Sequence, residues 1–352
     1  MQTQSNELDF SGQNFYCGID IHKKSWSVTI ETDDMPLKTF TQEADPNQLV
    51  KFLRRSYPGG KYIIGYESGY FGFTLYRHLL NQKVDCKVIH PADIPTTHKE
   101  KDQKRDPLDS RKIARGLRTG EVSSIWVPPS NLEQDRQLLR LRRTLAKDIT
   151  RVKNRIKAIL QLYGIKYPDA FEKNGTHWSK RFICWLEGIE LSEDTGTESL
   201  QMAVRNLNYL REEQLTVSRK IKSLALTERY NTAYTELIKL PGIGVLIAMI
   251  ILTEVGQISR FKKVDNFRSF IGLIPRSHSS GEKDYQGGIT KRSNTHLRAL
   301  IIEATWSAIK KDPYYLHVYY NYKNRMQHNK ALIRTARKLA NNIYYTLKQV
   351  NY

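Results

Sequence analysis

The apolar residues of this 352-residue chain change their period near residue 130, and that change restricts the architecture to a sheet-containing part followed by a helical one. Before it, apolar side chains alternate over short runs separated by turn residues, which is the pattern of strands. Residues 15–31 read as two strands joined by a tight basic turn at His22 to Ser25, and a third strand covers Leu37 to Thr41. Leu49, Phe52, Leu53 and Tyr57 then fall on one helical face that ends before Pro58-Gly59-Gly60. A strand at Tyr62 to Glu67, a helix at Phe71 to Leu80 and a strand from Val84 complete an expected mixed α/β sheet with helices packed on it.

From Leu132 the steps become three and four residues. Leu138, Leu141, Leu145, Ile149, Val152, Ile156 and Ile159 form one stripe; Val204, Leu207, Leu210, Val217, Ile221 and Leu224 form another. Two such helices predict an antiparallel coiled-coil arm. The expected organisation is a polar lead at 1–14, an α/β domain at 15–130 and an arm at 131–230 with an irregular insertion near 164–199. A mainly α domain at 231–321 and a basic tail helix at 322–352 follow.

Charge narrows the partners. Lys and Arg number 56 against 36 Asp and Glu, a net charge of +20 that attracts polyanions, nucleic acid first. The longest apolar run, beginning at Val245, is too short to span a bilayer, and Met1 to Asn14 has no apolar signal core. A cytoplasmic protein without a membrane partner is expected. Cys17, Cys86 and Cys184 lack paired spacing, so neither a disulfide framework nor a zinc site is indicated; Cys17 and Cys86 read as small buried residues.

Three segments have features of a nucleic-acid interface. Between Arg136 and Lys157 stand nine basic residues and one acid, including Arg140, Arg143, Lys147 and Arg151. Leu240-Pro-Gly-Ile-Gly, with Gly242 and Gly244, has the form of a helix-hairpin-helix, whose backbone amides approach a phosphate without reading a base; an ordinary helical hairpin has the same form. The tail from Tyr322 to Tyr352 holds seven Lys or Arg, no acid and four tyrosines, a pattern suited to stacking on bases.

Within this basic chain four carboxylates stand out. Asp20 lies mid-strand among apolar residues, on the face opposite Cys17, Ile19 and Ile21, where a carboxylate is costly unless paired or metal-bound. Glu67 closes the fourth strand, where α/β sheets gather ligand groups. Asp106-Pro107 reads as a helix start, and Asp109 follows one turn on. Converging, they would offer oxygen ligands to two hard cations, Mg²⁺ or Mn²⁺. Singly, each has a plainer reading: Asp106 a cap, Glu67 a surface residue, Asp109 a partner of Arg105 or Lys112. The loop from Arg276 to Asn294 places Ser279 and Ser280 before Gly281 and carries Lys291 and Arg292; by composition it is a polar turn, or a serine nucleophile with cations beside it.

Together these blocks carry a resemblance. Gly18-Ile-Asp-Ile-His-Lys, Tyr66-Glu-Ser-Gly and Asp106-Pro-Leu-Asp-Ser-Arg-Lys-Ile-Ala resemble the RuvC-like domain of the DEDD transposases of insertion-sequence family 110. Leu240-Pro-Gly-Ile-Gly, Phe270-Ile-Gly-Leu-Ile-Pro, Ser279-Ser-Gly-Glu-Lys, Gly288-Ile-Thr-Lys and Leu297-Arg-Ala-Leu-Ile-Ile-Glu-Ala are similar to that family's C-terminal transposase domain. The resemblance implies a ribonuclease-H-like fold with Asp20, Glu67, Asp106 and Asp109 as its Mg²⁺-binding tetrad. It implies a serine nucleophile, which falls on Ser280 rather than Ser279. It further implies target and donor DNA as substrates, a bridge RNA that pairs with both, and a homo-oligomer, dimer or tetramer, in which one subunit's tetrad meets another's serine. The stretch 164–199 is extended relative to the family. A RuvC-like Holliday-junction resolvase or nuclease would use the tetrad without Ser280, and a non-enzymatic nucleic-acid-binding scaffold would need neither.

Overall fold

The structure, a computed structural model, describes residues 8–95, 106–171, 176–280, 283–289 and 293–352; the side chains of Asp106 and of residues 275–289 are outside that description. Lys291 and Arg292 therefore lie outside the described residues. The chain divides into two compact units, Met1–Val127 and Pro128–Tyr352.

The first unit is a five-stranded mixed sheet. Strands β1 (Asn14–Ile21), β2 (Ser25–Glu31) and β3 (Pro36–Glu43) form an antiparallel meander. Helix α1 (Pro46–Ser56), capped by the Asp45 side chain, leads to β4 (Lys61–Glu67), which pairs parallel with β1; α2 (Thr74–Asn81) leads to β5 (Asp85–Ile89), parallel to β4. The order is β3-β2-β1-β4-β5. One face buries Phe15, Cys17, Ile19, Val28 and Ile30 with Leu49, Leu53, Leu75 and Leu79 of α1 and α2. Burial pushes the Cys17 thiol up to about 12, so it is a packing group and not a thiolate. The other face receives α3 (Asp106–Thr119).

Among the described residues the second unit has helices and one strand pair, a hairpin. Helices α4 (Ser130–Leu162) and α6 (Asp194–Ala225) pack along each other. The buried stripe of α4 is Leu132, Leu139, Leu145, Ile149, Val152, Ile156 and Leu160; Leu141, expected inside, is 47% exposed. The seam turns because α4 also packs on α8 (Val245–Val255), so one helix serves two partners and no single stripe describes it. The stretch 164–199, expected as irregular, is helical over part of its described residues. It carries α5 (Lys180–Glu187) and the first turn of α6, and Tyr167, Phe171, Trp178, Phe182 and Trp185 make an aromatic core against Val152, Ile156 and Leu207.

After α6, α7 (Glu228–Leu237) precedes α8, and α9 (Val264–Ile271) follows it. The Gly- and Ser-rich segment, expected as a loop, is an antiparallel hairpin of β6 (Pro275–Ser280) and β7 (Lys283–Ile289). Helices α10 (Thr295–Lys311), α11 (Pro313–Lys323) and α12 (His328–Gln349) end the chain. The tail is a core element with a basic outer face: Ala336, Leu339, Ala340, Ile343 and Leu347 are buried. Two tyrosines expected to face bases are tied inward, Tyr344 donating to the Phe261 carbonyl at 3.0 Å and Tyr352 to that of Leu252 at 2.9 Å. Among the described residues no helix is long and apolar enough to cross a membrane.

Candidate functional site

Two glycines determine how α3 sits on the sheet. A Cβ on Gly18 would lie 2.1 Å from the Ser110 carbonyl oxygen and 2.4 Å from the Ala114 nitrogen, so the α3 backbone rests on the strand where a side chain would otherwise stand. Gly65, the register partner of Gly18 on β4, leaves room for Leu117 in the same way. Polar groups complete the contact. The Ser110 hydroxyl is 2.8 Å from that of Thr29 and 3.3 Å from that of Ser27, and Thr29 is 3.0 Å from Thr39, to which Arg111 donates at 3.3 Å. Farther along, Arg118 pairs with the buried Glu31 at 2.9 Å.

These contacts set a direction. Ser110 lies over Gly18 and Thr29, whereas Arg118 reaches Glu31, opposite Tyr16 nearer the start of β1. Helix α3 thus runs antiparallel to β1, and its N-terminal turn extends toward Asp20 and its partner Ser27. Gly18, Asp20, Gly65 and Glu67 share a sheet face by alternation. The ladder pairs Gly18 with Gly65 and Ile19 with Tyr66, and its next step brings Asp20 level with Glu67. Asp20, Glu67, Asp109 and the backbone of Asp106 consequently occupy one end of one face. The positive end of the α3 dipole points to the same place and favours negative charge there by roughly 0.3–1 kcal/mol per group.

Asp20 and Asp109 each have a local partner. His22 Nε2 lies 3.2 Å from Asp20 Oδ2, and Lys112 Nζ donates to Asp109 Oδ1 at 2.8 Å from a side chain only 7% exposed. Of the two partners considered for Asp109, the structure supplies Lys112; Arg105 lies outside the described residues. Among the described residues no three His, Cys, Asp or Glu side chains come together as a metal-binding group. The donor chemistry nonetheless suits a hard divalent cation, because the groups that share this end are carboxylates. His22 and Ser110, which orient Asp20 and the helix, were given no such role from sequence, where nothing marks them as partners; Lys112 was anticipated as a partner of Asp109 from its three-residue spacing.

In the second unit Ser280 closes β6 and pairs with Lys283 across the hairpin, next to the Ser279 and Asp284 pair. The glycines of the Pro-Gly turn differ. Gly242 has φ +83°, and its Cβ would lie 2.2 Å from the Ala304 carbonyl oxygen, so it is required for packing on α10. Gly244, at the start of α8, meets nothing within 4 Å. The cations of α4 also divide. Arg136 donates to the Thr253 and Glu254 carbonyls at 2.6 and 3.0 Å and so caps the end of α8. Arg140 reaches the Glu254 carboxylate at 3.4 Å while remaining 55% exposed, and Arg151 pairs with Asp148 at 2.7 Å. Burial, then Arg143, Arg140 and Lys147, hold His296 of α10 below the usual histidine range against the pull of Glu254, so these cations of α4 lie close enough to act on the start of α10.

Residues 17–165 match the family model of the IS110 DEDD transposase, described as a transposase, and residues 234–321 match that of the IS116/IS110/IS902 transposase family. The chain belongs to the IS110 family of transposases. Among its curated relatives, a putative transposase of Sinorhizobium fredii is 28% identical over 69% of this chain and 57% of its own length. The transposase of insertion element IS1111A from Coxiella burnetii is 29% identical over 67% of the chain and 62% of its own length. That of IS1533 from Leptospira borgpetersenii is 26% identical over 83% of this chain and 84% of its own length. The match thus spans about three fifths of the first two family members. Asp20, Glu67, Asp106 and Asp109 all fall within the DEDD match, and Gly242, Gly244 and Ser280 within the second.

Proposed function

We propose that this protein is an RNA-guided DNA recombinase that excises and inserts an insertion sequence by strand exchange, with a ribonuclease-H-like first domain and a serine-bearing second one. The observation that carries the reading is the Gly18 contact, which seats α3 so that the acids of β1, β4 and α3 share one end of the sheet. Asp20, Glu67, Asp106 and Asp109 would hold the cation, and His22 and Lys112 would yield Asp20 and Asp109 to it. Bound Mg²⁺, or Mn²⁺ in its place, supplies positive charge to the attacking and leaving oxygens of a phosphoryl transfer.

Ser280 Oγ forms the new bond to phosphorus and gives its proton to water; the bond to the departing sugar oxygen breaks, and that oxygen takes up a proton. The phosphoserine conserves the phosphodiester for return to the incoming strand's hydroxyl, which restores Ser280. The exposed cations of α4, among them Arg140, Arg143, Lys147 and Arg151, together with Lys291 and Arg292, which follow the hairpin in sequence, would contact the phosphates of bridge RNA and of target and donor DNA; Gly244 would present backbone amides. Arg136 and Gly242 would act through the packing that holds α8 and α10. A homo-oligomer, dimer or tetramer, would let one subunit's tetrad meet another's serine.

The test is a nicked suicide substrate with the copurifying RNA, resolved on a denaturing gel with peptide mapping. Wild type should give a DNA adduct on Ser280 and Ser279→Ala should retain it. Ser280→Ala and Asp20→Asn should both lose strand exchange. An adduct on another residue, or exchange without Ser280, would overturn the assignment.

A further inference from the structure

Helices α9, α11 and α12 meet around a small polar cavity of about 190 Å³ lined by Arg268, Tyr322, Arg334, Arg337, Lys338 and Asn341. Arg334, Arg337, Lys338 and Asn341 recur at the three- and four-residue spacing that puts them on one face of α12, while Arg268 comes from α9 and Tyr322 from α11. Four cations therefore converge on a single concavity. The carboxylate hydrogen-bonded to them there, Asp265, binds Arg268 at 2.6 Å and is itself 67% exposed, at the rim.

The guanidinium groups are also held in place. Arg268 donates to Asn341 Oδ1 at 2.8 Å as well as to Asp265, Arg337 donates to the Leu273 carbonyl, and Arg334 lies 5.7 Å from the centre of the Tyr322 ring. Such fixing loses side-chain entropy and crowds like charges, a repulsion that Asp265 offsets at Arg268 and that an anion between the cations would offset for the rest. Arg337 registers the crowding: burial first, then Arg334 and Arg268, hold it below the ordinary arginine range. The cavity is smaller than the roughly 300 Å³ at which pockets for drug-sized molecules begin, so it suits one tetrahedral oxyanion better than a whole nucleotide. It also sits at the root of the β6–β7 hairpin, because the Leu273 carbonyl held by Arg337 lies just before Pro275, the first residue of β6.

We infer that this cavity is a phosphate clamp, in which Arg268, Arg334, Arg337 and Lys338 take a single backbone phosphate of a nucleic acid and fix the strand beside the hairpin. Forked guanidinium donors match phosphate oxygens in pairs, which separates this clamp from a diffuse basic surface. The inference rests on the nucleic-acid reading of the protein and not on the carboxylates or Ser280.

The test uses the full chain and measures affinity for a DNA duplex and for single-stranded RNA across a salt series without divalent cation. Arg334 and Lys338 are exposed, so Arg334→Gln/Lys338→Gln should keep the wild-type circular dichroism and melting temperature. The clamp predicts that this variant lowers the slope of log affinity against log salt by about 0.7–0.9, the share of one phosphate, on the nucleic acid that occupies it, and by less on the other. The same charge loss on α1, Lys51→Gln/Arg55→Gln, should change neither slope. An unaltered slope for the α12 variant on both ligands, or an equal fall in the α1 variant, would overturn the clamp. Failure of the wild type to bind either ligand would instead remove the nucleic-acid reading beneath it.

Discussion

Gly18 and Gly242 do the same thing in different units, and what surrounds them makes the outcomes differ. Each brings backbone against a helix: a Cβ would come within 2.1 Å of the Ser110 oxygen in one case and 2.2 Å of the Ala304 oxygen in the other. On a strand the contact repeats with period two, so the face that carries Gly18 and Gly65 goes on to Asp20 and Glu67, beyond the helix contact. In a turn there is no such continuation. Gly242 is absorbed into the packing, and only its neighbour Gly244 remains open. A close approach of backbone to helix is evidence for a site only where the element carries polar groups past it.

That comparison can be broken by substitution. The largest effect is expected at Gly242→Ala, which must strain a backbone at φ +83° and push against the α10 backbone. Overpacking at about 1–3 kcal/mol and left-handed strain at about 1–3 kcal/mol give a loss of roughly 2–6 kcal/mol in chemical denaturation. Gly18→Ala carries the packing part alone, roughly 1–3 kcal/mol, and should also lower divalent-cation affinity by displacing α3. Gly244→Ala should remain within about 0.5 kcal/mol of wild type, and a loss as large as that at Gly242 would refute the division between the two turn glycines.

Removing the Ser110 hydroxyl tests the polar part of the α3 contact. Ser110→Ala leaves the Thr29 and Ser27 hydroxyls with one partner fewer in a buried setting, at a cost of about 1–3 kcal/mol in the same assay. A neutral outcome would mean that Gly18 alone seats the helix.

The smallest effect concerns pH. His296 is held below its ordinary value of 6.5 chiefly by burial and then by Arg143, so the unfolded chain takes up its proton first as pH falls. Its contribution to stability is present above 6.5 and is lost below it as the unfolded chain protonates. Melting temperature should fall with acidification through that window more steeply in wild type than in His296→Gln. Parallel curves would place the α4 cations too far from α10 to matter.

The legible part of the fold was the part whose side chains repeat. The strand alternation around Cys17 and Ile19 and the steps through Ile149, Val152 and Ile156 each report one partner surface, and the structure buries them as expected. Leu139 displaces Leu141 where α4 changes partners, and no single period encodes that. The aromatic core around Phe182 joins Tyr167, Phe171 and Trp185 from separate short segments, leaving no long stripe to read. The hairpin at β6–β7 was hidden by glycines and serines that also compose loops, and Tyr344 and Tyr352 looked like surface residues because their basic neighbours face outward. At the site, Asp20, Glu67 and Asp109 were visible as acids in a basic chain. The contacts that orient them were not, since Ser110 meets Thr29 across 81 residues.

The central claim, that these acids form one divalent-cation site, is tested most directly by titrating Mn²⁺ into the metal-free protein and following free Mn²⁺ by electron paramagnetic resonance. Wild type should remove the free-ion signal with saturation, Lys112→Gln should bind at least as tightly because Asp109 loses its competing partner, and Asp20→Asn should bind at least tenfold more weakly while melting normally. Equal Mn²⁺ binding by wild type and Asp20→Asn, or none by wild type, would contradict it.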